Sequence, residues 1–261
     1  VKGTIKMLKR ERLLKIIEMA NAQGIITVNE IIQALSVSDM TVRRDLDELD
    51  KAGKILRIHG GAQSLSYSID KELSHNEKKA VQIEEKKQIA QLAASFIQDG
   101  DTVFLGPGTT MELLASLLST KRIRIITNNY PVFDILAQHE IADILLVGGD
   151  YRQNTGAFVG PIVNDTLKKL KFTKAFISAN GIHNEAISTY NIEEGEAQKI
   201  ALNNSRTKFI LADHQKLNRD DFYVFYNLHD MDYLITDDAV IEDVQQHYEQ
   251  YVAVKIAKKT E

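Results

Sequence analysis

Two sets of residues in this 261-residue chain have the types and spacing to do chemistry. Met40, Thr41, Arg43 and Arg44 fall on one side of a helical pattern, close to its start. Adjacent guanidinium groups there suit base edges and phosphate oxygens of duplex DNA, because each presents a planar fork of donors. Ser38 and Thr41 would meet phosphates, and Arg57 and His59 the sugar-phosphate backbone or the minor groove. The second set lies further on: Gly106-Pro-Gly-Thr-Thr110, Thr127-Asn-Asn129, Gly148-Gly-Asp-Tyr-Arg152, Ala179-Asn-Gly181 and Asp213-His-Gln-Lys216. A glycine turn that opens a helix offers unpaired N–H groups and the positive end of the helix dipole to an anion. The expected anion site comprises Gly106, Pro107, Gly108, Thr109, Thr110, Thr127, Asn128, Asn129, Gly149, Arg152, Glu194 and Lys216.

Local patterns predict the elements that position the first set. Leu13, Ile16, Ile17 and Ala20 mark a first helix, ended by Asn21 to Gly24. Thr27-Val-Asn-Glu30 is a capping box that starts a short helix with Val28, Ile31, Ile32 and Leu35 on its apolar face. After a turn at Ser36-Val37, Ser38 caps a third helix whose Val42, Leu46 and Leu49 face inward. Gly53 ends that helix, and Lys54 to His59 alternates before Gly60-Gly61 as a β-wing does. The reading is a winged helix-turn-helix over residues 5–62, with a Ser-rich linker over 63–74.

Taken alone, Arg43-Arg44-Asp45 reads as a solvated helix face. The run Val37-Ser-x-x-Thr-x-Arg-Arg-Asp-Leu46, followed by Gly53, Arg57 and His59-Gly-Gly-Ala62, resembles the DeoR family of bacterial transcriptional regulators. The resemblance implies binding to operator double-stranded DNA.

Residues 75–261 read as an α/β domain. A long helix is expected from about His75 to Ile97. Apolar runs at Val103 to Leu105, Ile123 to Ile126, Ile144 to Val147, Ala175 to Ser178, Phe209 to Leu211, Tyr233 to Ile235 and Val252 to Val254 predict seven strands of one mainly parallel sheet. The polar motifs follow the carboxyl ends of these strands, where open α/β sheets bind ligands. Each has a plainer reading by itself: Gly-Pro-Gly as a tight turn, Asn128-Asn129 as a helix cap, Lys216 as a surface lysine. Their convergence on one sheet edge favours an anionic small molecule. Neither a Walker A sequence nor Gly-x-Gly-x-x-Gly is present, which disfavours nucleotide folds. The family resemblance implies a sensor related in fold to ribose-5-phosphate isomerase and CoA-transferases, and hence a phosphorylated sugar effector. The family's phosphate loop is usually Asp-x-Gly-Thr-Thr. Here Gly106 replaces the aspartate; with Asn128-Asn129, Gly156-Ala-Phe-Val-Gly160 and Ala201-Leu-Asn-Asn204, this resembles the branch that governs lactose operons. That implies tagatose-6-phosphate as effector.

Composition constrains the rest. There is no cysteine, which removes disulfides and Cys-based zinc sites. His183, His214 and His229 lack metal-ligand spacing, and no cofactor is expected. With Val1 to Thr4 left aside, no signal-peptide pattern or long uncharged apolar run appears, which favours the cytoplasm over a membrane. Net charge is −4, but residues 1–61 carry 11 Lys/Arg against 8 Asp/Glu, and the remainder 21 against 28. The basic end is thus the helix-turn-helix end, and a homo-oligomer, dimer or tetramer, would multiply that patch on DNA. The competing class is a sugar-phosphate isomerase carrying a DNA-binding module, with Asp213, Glu194 or Glu196 as general base. The favoured reading is a sequence-specific DNA-binding repressor whose operator affinity falls when a phosphorylated sugar occupies the second domain; a corepressor-dependent activator is a third class.

Overall fold

The structure is a computed structural model that describes residues 7–23, 25–58, 60–64, 74–119, 121–138 and 143–259. The chain divides into two compact units, Val1–Lys71 and Glu72–Glu261.

In the first unit, α1 (Lys9–Gln23), β1 (Ile25–Thr27), α2 (Val28–Leu35), α3 (Asp39–Lys51), β2 (Ile55–Ile58) and β3 (Gly61–Ser64) follow one another. The capping box at Thr27 and Glu30 is formed, and Ser38 caps α3 through Thr41 N–H. Ser36 and Gly53 take left-handed backbone at the ends of α2 and α3. Ile16, Ile31, Val42, Leu46 and Leu49 meet in one core. An ion pair adds to it: the partly exposed Arg12 guanidinium of α1 grips the buried Asp45 carboxylate of α3 at both oxygens. The wing is a three-stranded antiparallel sheet of order β1-β3-β2. Gly61 is forced by this pairing, since a Cβ would lie 2.1 Å from the Ile26 carbonyl oxygen. The expected linker therefore begins too early. Gln63 and Ser64 belong to β3, pairing with Ile25, Leu56 and Ile55, and the buried Ser64 hydroxyl binds Asn21.

The second unit begins with α4 (His75–Ala80) and α5 (Ile83–Ser95), where one continuous helix was expected. The break has a local cause. Lys86, almost fully buried, donates to the carbonyl oxygens of Lys78 (2.5 Å) and Val81 (2.6 Å), taking acceptors at the end of α4. Gln82 then turns through a left-handed conformation at φ 53° to cap α5.

Next come β4 (Thr102–Leu105), α6 (Thr109–Ser116), β5 (Arg124–Thr127), α7 (Tyr130–Ala137), β6 (Asp143–Leu146), β7 (Asp150–Arg152), β8 (Ala157–Val159) and α8 (Pro161–Leu167). The chain continues with β9 (Phe172–Ser178), β10 (Gly181–His183), β11 (Ala186–Thr189), α9 (Ile192–Asn203), β12 (Ser205–Leu211) and β13 (Tyr223–Asn227). It ends with β14 (Tyr233–Asp237), α10 (Glu242–Tyr248) and β15 (Ala253–Ala257). Among the described residues the seven expected strands pair in parallel as β15-β14-β12-β9-β4-β5-β6. Their alternation divides the core. Phe104, Ala175, Ile177, Ile210 and Leu234 pack with α8, α9 and α10 on one face; Val103, Leu105, Phe176, Phe209 and Ile235 pack with α5, α6 and α7 on the other. The hairpin β7-β8 and the small antiparallel sheet β10-β11-β13 stand apart from this sheet.

Candidate DNA-binding surface and ligand cavity

On the first unit, α3 presents the expected face. Met40 and Arg44 are exposed, and Arg43 is half-exposed with its Nε 2.7 Å from Asp39 Oδ1 one turn earlier. The hydroxyls of Ser38 and Thr41 lie 2.9 Å apart. Arg57 is placed differently from the expectation of a free backbone contact. Its side chain donates to Asp47 Oδ1 (3.3 Å) and to the carbonyl oxygens of Ile58 and Gly61, while its N–H donates to Asp50 Oδ1 (2.8 Å). It braces the wing against the recognition helix. His59 lies outside the described residues.

In the second unit, β4 and β9 are adjacent but lead the chain towards opposite edges of the sheet, which makes their carboxyl ends the topological switch point. A cavity of about 490 Å³, mouth included, opens there. Pro107, Gly108 and Thr109 line it from the loop after β4, Ser178, Ala179 and Asn180 from β9 and the loop after it, and Lys216 from the loop after β12. His75 and Lys78 of α4, Thr155, Thr189, and Glu194 and Gln198 of α9 complete the wall.

The turn over residues 106–110 leads directly into α6. Met111 N–H makes the first bond of α6, to the Gly108 carbonyl (3.0 Å), so the N–H groups of Thr109 and Thr110 precede the intrahelical ladder. Gly108 has φ 138°, and a Cβ on it would lie 3.2 Å from Ser178 Cβ and Oγ. Lys216 Nζ donates to the Ala179 carbonyl (2.7 Å), and burial draws its ammonium down to about 8, with Asp213 opposing and Lys78 and Lys86 adding to the effect. Burial also lowers Lys86, again against Asp213. Lys78 Nζ donates to Asn180 Oδ1 at 3.2 Å. Two ammonium groups, of Lys78 and Lys216, thus stand in the cavity wall, the Lys78 charge disfavouring that of Lys216, and an anion relieves that repulsion.

Of the expected anion-site residues, Pro107, Gly108, Thr109, Glu194 and Lys216 meet in the cavity wall. Gly106 lies just behind it, close to Gln198. Thr110 is buried in the first turn of α6. Thr127, Asn128 and Asn129 are fully buried and do not line the cavity. Asn129 caps α7 and donates to the Thr155 carbonyl (3.0 Å), Asn128 donates to the Phe158 carbonyl (2.8 Å), and Thr127 Oγ1 accepts from Asn129 N–H (3.1 Å). They fasten β7-β8 to the sheet. Gly149 serves close packing, since a Cβ there would lie 2.6 Å from the Val159 carbonyl oxygen. Arg152 acts one step back, its Nη1 3.2 Å from Glu194 Oε1, while the Thr155 hydroxyl also donates to that oxygen. Sequence reasoning missed His75, Lys78, Thr155, Ser178, Thr189 and Gln198. The strand-end motif Ala179-Asn-Gly181 is the signal that points to Asn180.

The three histidines without metal-ligand spacing each stand beside a carboxylate: His183 by Asp220 (2.5 Å), His214 by Asp237 (2.7 Å) and His229 by Glu185 (3.7 Å). Asp237 is held below its ordinary value: burial would raise it, and hydrogen bonding to His214 outweighs that.

A family model described as the DeoR-like helix-turn-helix domain matches residues 12–68, and one described as the DeoR C terminal sensor domain matches residues 81–238. A lactose phosphotransferase system repressor of Lactococcus lactis subsp. lactis is 47% identical over 95% of this chain and 98% of its own length. A protein of the same name from Streptococcus mutans is 46% identical over 88% of this chain and 93% of its own. Among solved structures, ribose 5-phosphate isomerase A of Methanocaldococcus jannaschii shares 18% identity over 51% of this chain and 53% of its own, with a TM-score of 0.39, a likeness too low to bear on function. Matched in both units and by relatives along nearly its whole length, the chain belongs to the DeoR family of bacterial transcriptional regulators.

Proposed function

We propose that this protein is a DNA-binding repressor of a lactose or tagatose-pathway operon, released from its operator when a phosphorylated sugar fills the cavity. Tagatose-6-phosphate is the effector that family resemblance suggests. The observation that carries the effector reading is the meeting of Lys78 and Lys216 with the open N-terminus of α6 in one cavity. Met40, Thr41, Arg43 and Arg44 face the major groove in this reading, with Ser38 and Thr41 at phosphates. Arg57 supports them by fixing the wing. One helix-turn-helix supplies few base contacts, so the active form is at least a dimer on symmetric half-sites. Its place is the cytoplasm; among the described residues no helix is long and apolar enough to cross a membrane.

The test is a thermal-shift panel of pentose and hexose phosphates followed by operator gel shift. A true effector raises the melting temperature by mass action and frees the operator over the same concentration range. A sugar phosphate that binds without releasing DNA would sink the derepression reading. The isomerase alternative needs an available base: Glu194 already accepts hydrogen bonds from Thr155 and Arg152, Glu196 from the Tyr223 hydroxyl, and Asp213 is buried and does not line the cavity. Turnover of sugar phosphates by the purified protein would restore it.

A further inference from the structure

Glu194 and Gln198 are one turn apart on α9, so both project from the same face of the helix, and both line the cavity. Gln198 is 3% exposed, its Oε1 is buried without a hydrogen-bond partner, and its amide makes no side-chain hydrogen bond among the described residues. The same oxygen lies 3.5 Å from where a Cβ on Gly106 would sit, at the base of the phosphate loop. An unpaired buried amide costs stability, and an apolar side chain of the same shape would not. Its presence in a cavity wall points to a ligand group that completes it.

The chemistry of that group follows from its neighbours. Lys78, Lys216 and the α6 N–H groups supply donors and positive charge, which satisfies a phosphate. Glu194 is a carboxylate that only accepts, and Gln198 is neutral, able both to donate and to accept. A phosphate dianion could accept from the Gln198 amide nitrogen but has no proton to give, so the buried Oε1 would stay unpaired; the Glu194 carboxylate is already met by Arg152 and Thr155. A hydroxyl both donates and accepts, and suits the two residues together. We infer that Gln198, beside Glu194, reads a hydroxyl of a phosphorylated polyol and is the residue by which the cavity separates sugar phosphates from other phosphate esters. The inference rests on the anion-site reading of the cavity proposed above.

Calorimetry on the full-length protein tests it with inorganic phosphate, propyl phosphate, fructose 6-phosphate and tagatose 6-phosphate. The wild type should bind at least one ketohexose phosphate about tenfold or more tighter than propyl phosphate, which has the ester but no hydroxyl. Gln198→Met should erase most of that advantage while leaving propyl phosphate and inorganic phosphate unchanged. It should also raise the melting temperature of the ligand-free protein, which a purely structural glutamine would not do. Equal loss for all four ligands would place Gln198 in the phosphate cradle, and unchanged sugar-phosphate affinity would leave it no role; either result overturns the inference. If propyl phosphate and the sugar phosphates bind alike to the wild type, the hydroxyl reading fails while the anion site stands. If none of the four binds, the cavity assignment fails first. Should Gln198→Met not fold, the wild-type comparison of sugar phosphates with propyl phosphate still decides.

Discussion

At the scale of single residues, Lys216 links the cavity to pH. Its ammonium titrates near 8 in the ligand-free protein, below the ordinary 10.5, because burial and the neighbouring Lys78 and Lys86 disfavour the charge more than Asp213 supports it. The unfolded chain therefore binds more protons between about 8 and 10.5, and the stability of the ligand-free protein rises with pH across that window. Ligand binding runs the other way. A bound phosphate raises the Lys216 value, so above about 8 binding takes up a proton and affinity falls by up to about tenfold per pH unit. Inorganic phosphate titrated at pH 7 and pH 9 should show this fall, and Lys216→Met should flatten it; a flat wild-type profile would remove Lys216 from the site. On the DNA side, Arg44 stands exposed on α3 whereas Arg43 is partly occupied by Asp39. Arg44→Ala should cost about 1–3 kcal/mol of operator affinity if it reads a base, and should leave sugar-phosphate affinity intact. A contact to phosphate alone would instead weaken all sequences alike and flatten the salt dependence. Unchanged operator binding in both the Arg43→Ala and Arg44→Ala proteins would refute the placement of this face.

Elements show why some of this could be read from sequence and some could not. The helix-turn-helix is written in local signals: the Thr27 and Ser38 caps act within three residues, and Val42, Leu46 and Leu49 repeat at helical spacing. The five inner parallel strands, β4, β5, β9, β12 and β14, bury apolar residues on both faces and so stand out as runs. The hairpin β7-β8 has strands of three residues, too short to leave a period, and the buried asparagines that hold it were read as ligand contacts because both roles demand a polar side chain at a strand end. The break between α4 and α5 was invisible for another reason. The joining segment Ala80-Val-Gln-Ile83 holds neither Gly nor Pro to mark a stop, and Lys86 reaches back from α5 to the carbonyls of Lys78 and Val81. Gln82 at φ 53° carries the cost of that turn. Gln82→Gly should therefore stabilise the protein by about 1 kcal/mol in urea unfolding, since glycine takes the left-handed region without the Cβ clash. A loss of stability would mean that the Gln82 side chain contributes more than its backbone strain costs. Asp45 was likewise read only as part of a charge cluster, and its burial against Arg12 depends on α1, more than thirty residues earlier.

For the whole molecule, the proposed function requires that occupancy of the cavity and binding of the operator be coupled. Release by a ligand needs that ligand to bind the free and the DNA-bound states unequally, with a typical coupling of about 1–3 kcal/mol. The effect is reciprocal, so operator DNA should weaken sugar-phosphate binding by the same factor by which the sugar phosphate weakens operator binding, and calorimetry with and without operator should recover one number from both directions. Equal ligand affinity in the two titrations would dismiss allosteric release. The same coupling can be cut at one residue. An aspartate at Gly108 meets three obstacles: a backbone at φ 138°, Ser178 at 3.2 Å, and a negative charge where the phosphate is to sit. Gly108→Asp should lose effector binding while its helix-turn-helix, in the other unit of the chain, keeps wild-type operator affinity. The expected product is a repressor that stays on DNA at every sugar-phosphate concentration, read by gel shift beside a circular-dichroism check of folding. Lys216→Ala should shift the release curve to higher effector concentration without abolishing it, because it removes one point charge and leaves the backbone cradle in place. A folded Gly108→Asp protein that leaves the operator at wild-type effector concentrations would show that the phosphate binds elsewhere, and the cavity at the switch point would lose its assigned role.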